Sequence, residues 1–175
     1  MAYTYSKIAT VTVGSGGASS IDFLAIPQNY TDLKIVSSLR SDRAAVTSTA
    51  LILYAFNGDT GSTLSRRWLL GNGSAASSAS GSNANSVQIS SIPAATATTN
   101  TFSNDEIYIS KYTSSNYKPL SIDSVCENNA TEGLQFFTAG LWRNSAPINS
   151  LKIVANAGNF VQYSTATLYG IKAEV

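Results

Sequence analysis

The stretch Ile21-Asp22-Phe23-Leu24-Ala25-Ile26-Pro27-Gln28-Asn29-Tyr30-Thr31-Asp32-Leu33-Lys34-Ile35-Val36-Ser37-Ser38-Leu39-Arg40 holds two apolar runs separated by a turn. In the first, Ile21, Phe23 and Ala25 recur at every second position while Asp22 faces away; in the second, Leu33, Ile35, Ser37 and Leu39 do the same. A period of two is that of a strand with one face in a core, because successive side chains point to opposite sides of a pleated backbone. Pro27-Gln28-Asn29 ends the first run, since proline cannot donate to a sheet ladder. Some helical spacing runs over residues 33–45, but Val36-Ser37-Ser38 and the lack of a cap count against a helix.

The same reading extends outward. Strands are predicted over residues 5–13, 20–26, 33–40, 49–56, 63–70, 85–92, 102–112, 118–126, 134–143, 150–154 and 160–172, ten or eleven in all. Gly14-Ser15-Gly16-Gly17 closes the first, and Asn57-Gly58-Asp59-Thr60-Gly61 follows the fourth, which is almost wholly apolar and placed centrally. Residues 71–85, rich in Gly, Ser, Ala and Asn, read as a low-complexity loop and a candidate mobile or interface segment. Fixed-period repeats and heptads are absent, which excludes solenoids, propellers and a coiled-coil shaft. Many strands with long, uneven connections favour an all-β, two-sheet jelly roll over a simple meander. Its expected core is Ile21, Phe23, Leu33, Ile35, Leu51, Leu53, Ile107, Ile109, Phe136, Ile153 and Leu168.

Composition narrows the chemistry. The 175 residues carry a formal net charge of +1, only 12% charged side chains, no histidine and one cysteine. A Ser-His-Asp or Cys-His machine, a His/Cys zinc site and an intrachain disulfide are excluded. So little basic surplus argues against nucleic acid and anionic membrane as partners. The N-terminus lacks a basic start followed by an apolar run, and the longest apolar stretch, residues 50–56, is too short to span a bilayer. A soluble protein made in a cytoplasm is expected. Ser, Thr and Asn dominate the polar positions; they disfavour helix interiors and predict weak salt dependence of binding.

Individual motifs were weighed against structural roles. The Asn57–Gly61 turn could offer oxygens to calcium, but one aspartate is poor provision and a turn is expected. Asp105 and Glu106 are adjacent, hence on opposite faces of a strand, and cannot form a glycosidase pair. Glu127 and Glu132 flank a loop and read as surface charges. Of Arg66 and Arg67, one is expected to face inward and pair with a carboxylate; Arg40 and Arg43 flank a short loop. Asn29-Tyr30-Thr31 and Asn129-Ala130-Thr131 match the glycosylation pattern by chance in so Asn/Thr-rich a chain. Trp142 is expected in the core with its indole N–H paired, and Cys126 as a small buried hydrophobe. No cofactor and no metal site are expected.

Four stretches in order resemble a family of small virion proteins of tailed bacteriophages. They are Ile21 through Leu33, with its Ile26-Pro27-Gln28 and Tyr30; Phe56-Asn57-Gly58-Asp59; Gly140-Leu141-Trp142-Arg143; and Leu168-Tyr169-Gly170-Ile171. The resemblance covers the chain from about residue 20 onward. It implies a jelly-roll domain over residues 20–175, with residues 1–19 an N-terminal strand or attachment arm, and a homotrimer on the outer surface of a phage particle. It transfers no catalytic residues.

The leading expectation is therefore a capsid decoration (cement) protein whose partner is the major capsid protein. The alternative is a tail-fibre or receptor-binding tip recognising a host surface glycan. An enzyme acting on that glycan would need paired carboxylates in a cleft. The interface candidates are Arg40, Arg43, Arg67, Trp142 and Arg143.

Overall fold

Alternating side chains become strands where a neighbouring strand completes their backbone hydrogen bonds, and this chain supplies neighbours almost throughout. The computed structural model describes residues 3–44, 49–54, 56–128 and 133–173, the side chains of residues 3, 49–54, 89 and 173 excepted. Among these residues run twelve strands: β1 (Tyr3–Thr12), β2 (Ile21–Phe23), β3 (Asp32–Ser38), β4 (Thr49–Tyr54), β5 (Leu64–Gly71), β6 (Ala76–Ala84), β7 (Ser86–Ile92), β8 (Asn104–Ile109), β9 (Lys118–Glu127), β10 (Gly133–Trp142), β11 (Leu151–Ala155) and β12 (Thr165–Ala173). One 3₁₀ turn spans Phe56–Gly58.

An eight-stranded antiparallel sheet, in the order β1-β12-β3-β8-β9-β10-β5-β6, packs against a four-stranded sheet in the order β2-β11-β4-β7. Without β5, β6, β9 and β10, the remaining strands pair as nested hairpins: β1 with β12, β2 with β11, β3 with β8 and β4 with β7. The chain is thus one long antiparallel ribbon folded at its middle and wound across two sheets, which is the jelly roll the sequence predicted. Two further hairpins, β5–β6 after β4 and β9–β10 after β8, pair with each other through β5 and β10 and lengthen one sheet only.

Residues 71–85 correct the loop expected there. Asn72 accepts the N–H groups of Ser74 and Ala75 at 3.0 and 2.8 Å and turns the chain into β6, the edge strand of the larger sheet. Alanine and serine give no apolar contrast, so pairing to β5 decides the strand. The opposite edge, β1, carries Lys7 and a register break between Lys7 and Ala9. Strand β2 is shorter than predicted: Ala25 leaves the inward face, exposed with φ 50°, and Ile26 is buried in its place. The last strand begins at Thr165, because residues 156–164 form a loop in which Phe160 bridges Ala18 and Ser41.

Of the expected core, Ile21, Phe23, Leu33, Ile35, Ile107, Ile109, Phe136, Ile153 and Leu168 are buried. The side chains of Leu51 and Leu53 lie outside the described set, as do Asn129–Thr131 and Glu132. Among the described residues, one carboxylate has no solvent exposure at all. Asp105 is fully buried on β8 and accepts hydroxyls from Ser37 (3.2 Å), Ser103 (2.6 Å) and Ser124 (2.5 Å). Ser90, on the opposite sheet, aims at the same carboxyl without meeting it in hydrogen-bond geometry. Its neighbour Glu106 points outward to Lys34 at 2.8 Å, as strand alternation requires.

Loops gather at the two ends of the sandwich. At one end Tyr30 lies against Gly170 of β12, leaving no room for a Cβ at that position. Gly170→Ala should therefore cost about 1–3 kcal/mol of unfolding free energy, read from urea midpoints. Burial, outweighing the hydroxyl donors, raises the Asp105 pKa. At low pH the carboxyl is neutral in folded and unfolded chains alike. As pH rises through the raised folded value, the native state must hold a buried charge and stability is lost. Melting temperature should thus fall as pH rises above the ordinary aspartate range, and Asp105→Asn should flatten that slope.

Candidate functional site

Two doublets, Leu69-Leu70 on β5 and Phe136-Phe137 on β10, place apolar residues at consecutive strand positions, so one member of each must face outward. Phe136 turns in, buried edge-on to Trp68 with ring centroids 5.9 Å apart. Phe137 and Leu69, directly opposite each other across the β10–β5 ladder, turn out and are 53% and 61% exposed. Val125 of β9 shares the same face.

Around this pair the outer face is hollowed. Ser121, Ala139 and Ser80 form the floor of an open groove of about 760 Å³, and Leu69, Phe137 and Arg67 rise around it. Asp123 stands beside Phe137 on β9 and accepts the Gln135 amide at 2.5 Å. The surface is apolar at its centre with one cation and one anion at its margins. That is the anatomy of a protein-binding patch, in which a desolvated centre is ringed by polar groups.

The five interface candidates scatter. Arg67 lies on this groove, its guanidinium donating to the Arg66 carbonyl at 3.0 Å. Arg143 lies just past β10 and braces it to the inserted hairpins, bonding Ser62 O at 2.6 Å and Asn83 Oδ1 at 2.7 Å. Arg40 is buried at the far end of β3; its guanidinium donates five bonds to acceptors on Ala95, Ala97, Thr98 and Thr101. Arg43 is half-buried beyond it, its carbonyl accepting Ala95 N–H at 3.1 Å. Trp142 is fully buried. Arg66 faces inward over Gly81, but its Nε finds no acceptor among the described residues. The carboxylate partner expected for the Arg66–Arg67 pair is therefore not at that atom.

The Asn57–Gly61 segment is a fastener. Asp59 accepts Trp142 Nε1 at 2.9 Å, Gly61 N–H at 2.8 Å and Thr63 Oγ1 at 2.8 Å. Those bonds, with Trp142 foremost, hold its carboxyl below the usual aspartate range. Asn57 donates to Pro147 O and accepts Asn149 and Ser150 N–H groups, tying in the loop before β11. Phe56 packs on Trp142 with centroids 5.2 Å apart, and the buried Lys118 ammonium stands 5.6 Å over the same indole. Burial pushes the pKa of Lys118 down, and its donors reach Asn116 O and Asn144 O.

No family model, curated protein or solved structure matches the chain. The motifs that carry the phage resemblance contact one another. Phe56 through Asp59 hold Trp142, Tyr30 covers Gly170, and Gln28 reaches Ile26 O and Ile148 O at 2.8 and 2.9 Å. They are the stitching of one end of the jelly roll, and so speak to fold before function.

Asp59→Ala should lower stability by about 1–2 kcal/mol, because the indole N–H and two other donors lose their acceptor. Asp59→Asn, which keeps one carbonyl oxygen, should cost less. Melting curves with calcium and with chelator should coincide for the wild type.

Proposed function

We propose that this chain is a non-catalytic structural protein of a bacteriophage virion, a capsid decoration (cement) protein. In this reading it seats the outer face of its enlarged sheet on the assembled shell of major capsid protein, in homotrimers as the family resemblance implies. The observation that carries it is the Leu69–Phe137 pair, two large apolar side chains side by side in water on the inserted hairpins. The jelly roll itself does not need them there, and exposed apolar patches on soluble domains mark interaction surfaces.

The low charge supports the same reading. A contact made by apolar burial and neutral hydrogen bonds outlasts changes in salt, and binding that favours the closed shell stabilises it by mass action. The exposed tyrosines are spread over four elements: Tyr5 on β1, Tyr108 on β8, Tyr117 in the β8–β9 loop and Tyr163 before β12.

The test adds purified protein to capsids lacking it, at low and high salt, and measures bound copies and capsid melting. Binding should saturate, change little with salt and raise the melting temperature. Leu69→Ser with Phe137→Ser should weaken it by at least about tenfold, while the free protein's stability moves by only about 0.5 kcal/mol. Adherence to host cells with no capsid binding would favour the tail-fibre tip and end the cement reading.

A further inference from the structure

At the end of the sandwich remote from the Trp142 fastener, the loops before β2, β4, β8 and β12 converge. The last three of these loops line a shallow cavity of about 420 Å³. Asp42, Thr99, Asn100, Gln162 and Tyr163 line it with their side chains exposed, and Phe102 is half-buried beside them.

Three observations bear on what it takes. First, Tyr163 is 70% exposed while its backbone holds φ 71°, a left-handed conformation that a bulky residue adopts only when its surroundings impose it. The imposing bonds are Tyr163 N–H to Val13 O at 3.0 Å, Val161 N–H to Arg40 O at 3.0 Å and Ser164 N–H to Val161 O at 3.1 Å. The ring is thus presented to solvent at a cost in backbone strain.

Second, the walls are set in advance. Arg40 pins the segment from Ala95 to Thr101 from below with its five bonds. Asp42 grips Asn159 through the backbone N–H at 2.6 Å and the side-chain amide at 3.4 Å. A site framed this way loses little freedom when it binds.

Third, the chemistry of the lining is specific. Amide, hydroxyl and carboxylate groups surround aromatic carbon, and Arg40, the cation within the lining, already faces carbonyls. The guanidinium N–H groups of Arg40 are already engaged by carbonyls, so an anion entering beside the Asp42 carboxylate would meet repulsion without a bond from Arg40. A chair-form sugar ring, with an apolar C–H face and hydroxyls around its edge, suits an aromatic face ringed by amide, hydroxyl and carboxylate groups.

We propose that this cavity binds a neutral saccharide, one pyranose ring stacked on Tyr163 with its hydroxyls bonded to Asp42, Asn100 and Gln162. The site is separate from the Leu69–Phe137 face and stands or falls independently of the capsid proposal. The test is amide NMR on the labelled full chain, titrated with glucose, galactose, N-acetylglucosamine, lactose and diacetylchitobiose, with N-acetylneuraminic acid as the anionic comparison. At least one neutral sugar should move resonances of residues 99–102 and 161–163, and the acid should not. Tyr163→Ala should weaken binding about tenfold, and Tyr163→Phe should retain it. Tyr163→Gly, which relieves the left-handed strain, should melt no lower than wild type yet bind as poorly as the alanine variant. The proposal is overturned if no neutral sugar shifts these residues, if only the acid does, if the shifts map to the sheet face, or if Tyr163→Ala binds like wild type.

Discussion

The indole N–H of Trp142 cannot be left unpaired in a dry interior, and Asp59 is what it finds. That single bond ties the end of β10, where one inserted hairpin rejoins the jelly roll, to the loop that launches β5, where the other leaves it. With that loop fixed, Asn57 can hold the segment before β11 and Phe56 can close over the indole. The register of β10 on β5 follows, and with it the pairing of Phe137 with Leu69. The outer patch is thus a downstream result of a buried polar contact at the end of the sheet.

The sequence shows the fold where apolar contrast is strong and conceals it where contrast fades. Strands β3 and β8 alternate cleanly, and the inward residues expected there, Leu33, Ile35, Ile107 and Ile109, are buried. β6 has no such contrast, because Ala, Ser and Gly look alike to water; only its partner makes it a strand. The surface patch was legible in principle, since a doublet in an alternating strand forces one apolar side chain outward. The interface candidates legible from residue type, four arginines and a tryptophan, do not include Leu69 or Phe137. Arg40 reads locally as a loop cation, and nothing beside it announces that residues 95–101 offer it four main-chain carbonyls. That arrangement exists only when the loops before β4 and β8 meet, which is a tertiary fact.

The two ends of the sandwich differ in how they use their bonds. At one end the bonds close a sealed cluster around Trp142 and Tyr112, whose hydroxyl donates to Pro27 O. At the other end the bonds run inward, from Arg40 and Asp42 to backbone, and leave Thr99, Asn100, Gln162 and Tyr163 facing water. A sealed end suits support and an open one suits contact. The broad sheet face between them is a third surface, set by the inserted hairpins alone.

The nesting of the strands bears on how the chain reaches this state. Residue 3 lies opposite residue 173, so the outermost pair of the ribbon joins the two extremities of the described chain. Contacts so distant in sequence carry a large loop-closure entropy and slow folding. During synthesis β1 leaves the ribosome well before β12, and that edge stays unsatisfied until β12 follows. The charge of Lys7 and the register break beside it then have a second use. They make the waiting strand a poor template for a neighbouring chain, so each copy is more apt to close on itself than to be captured by the nascent chain beside it.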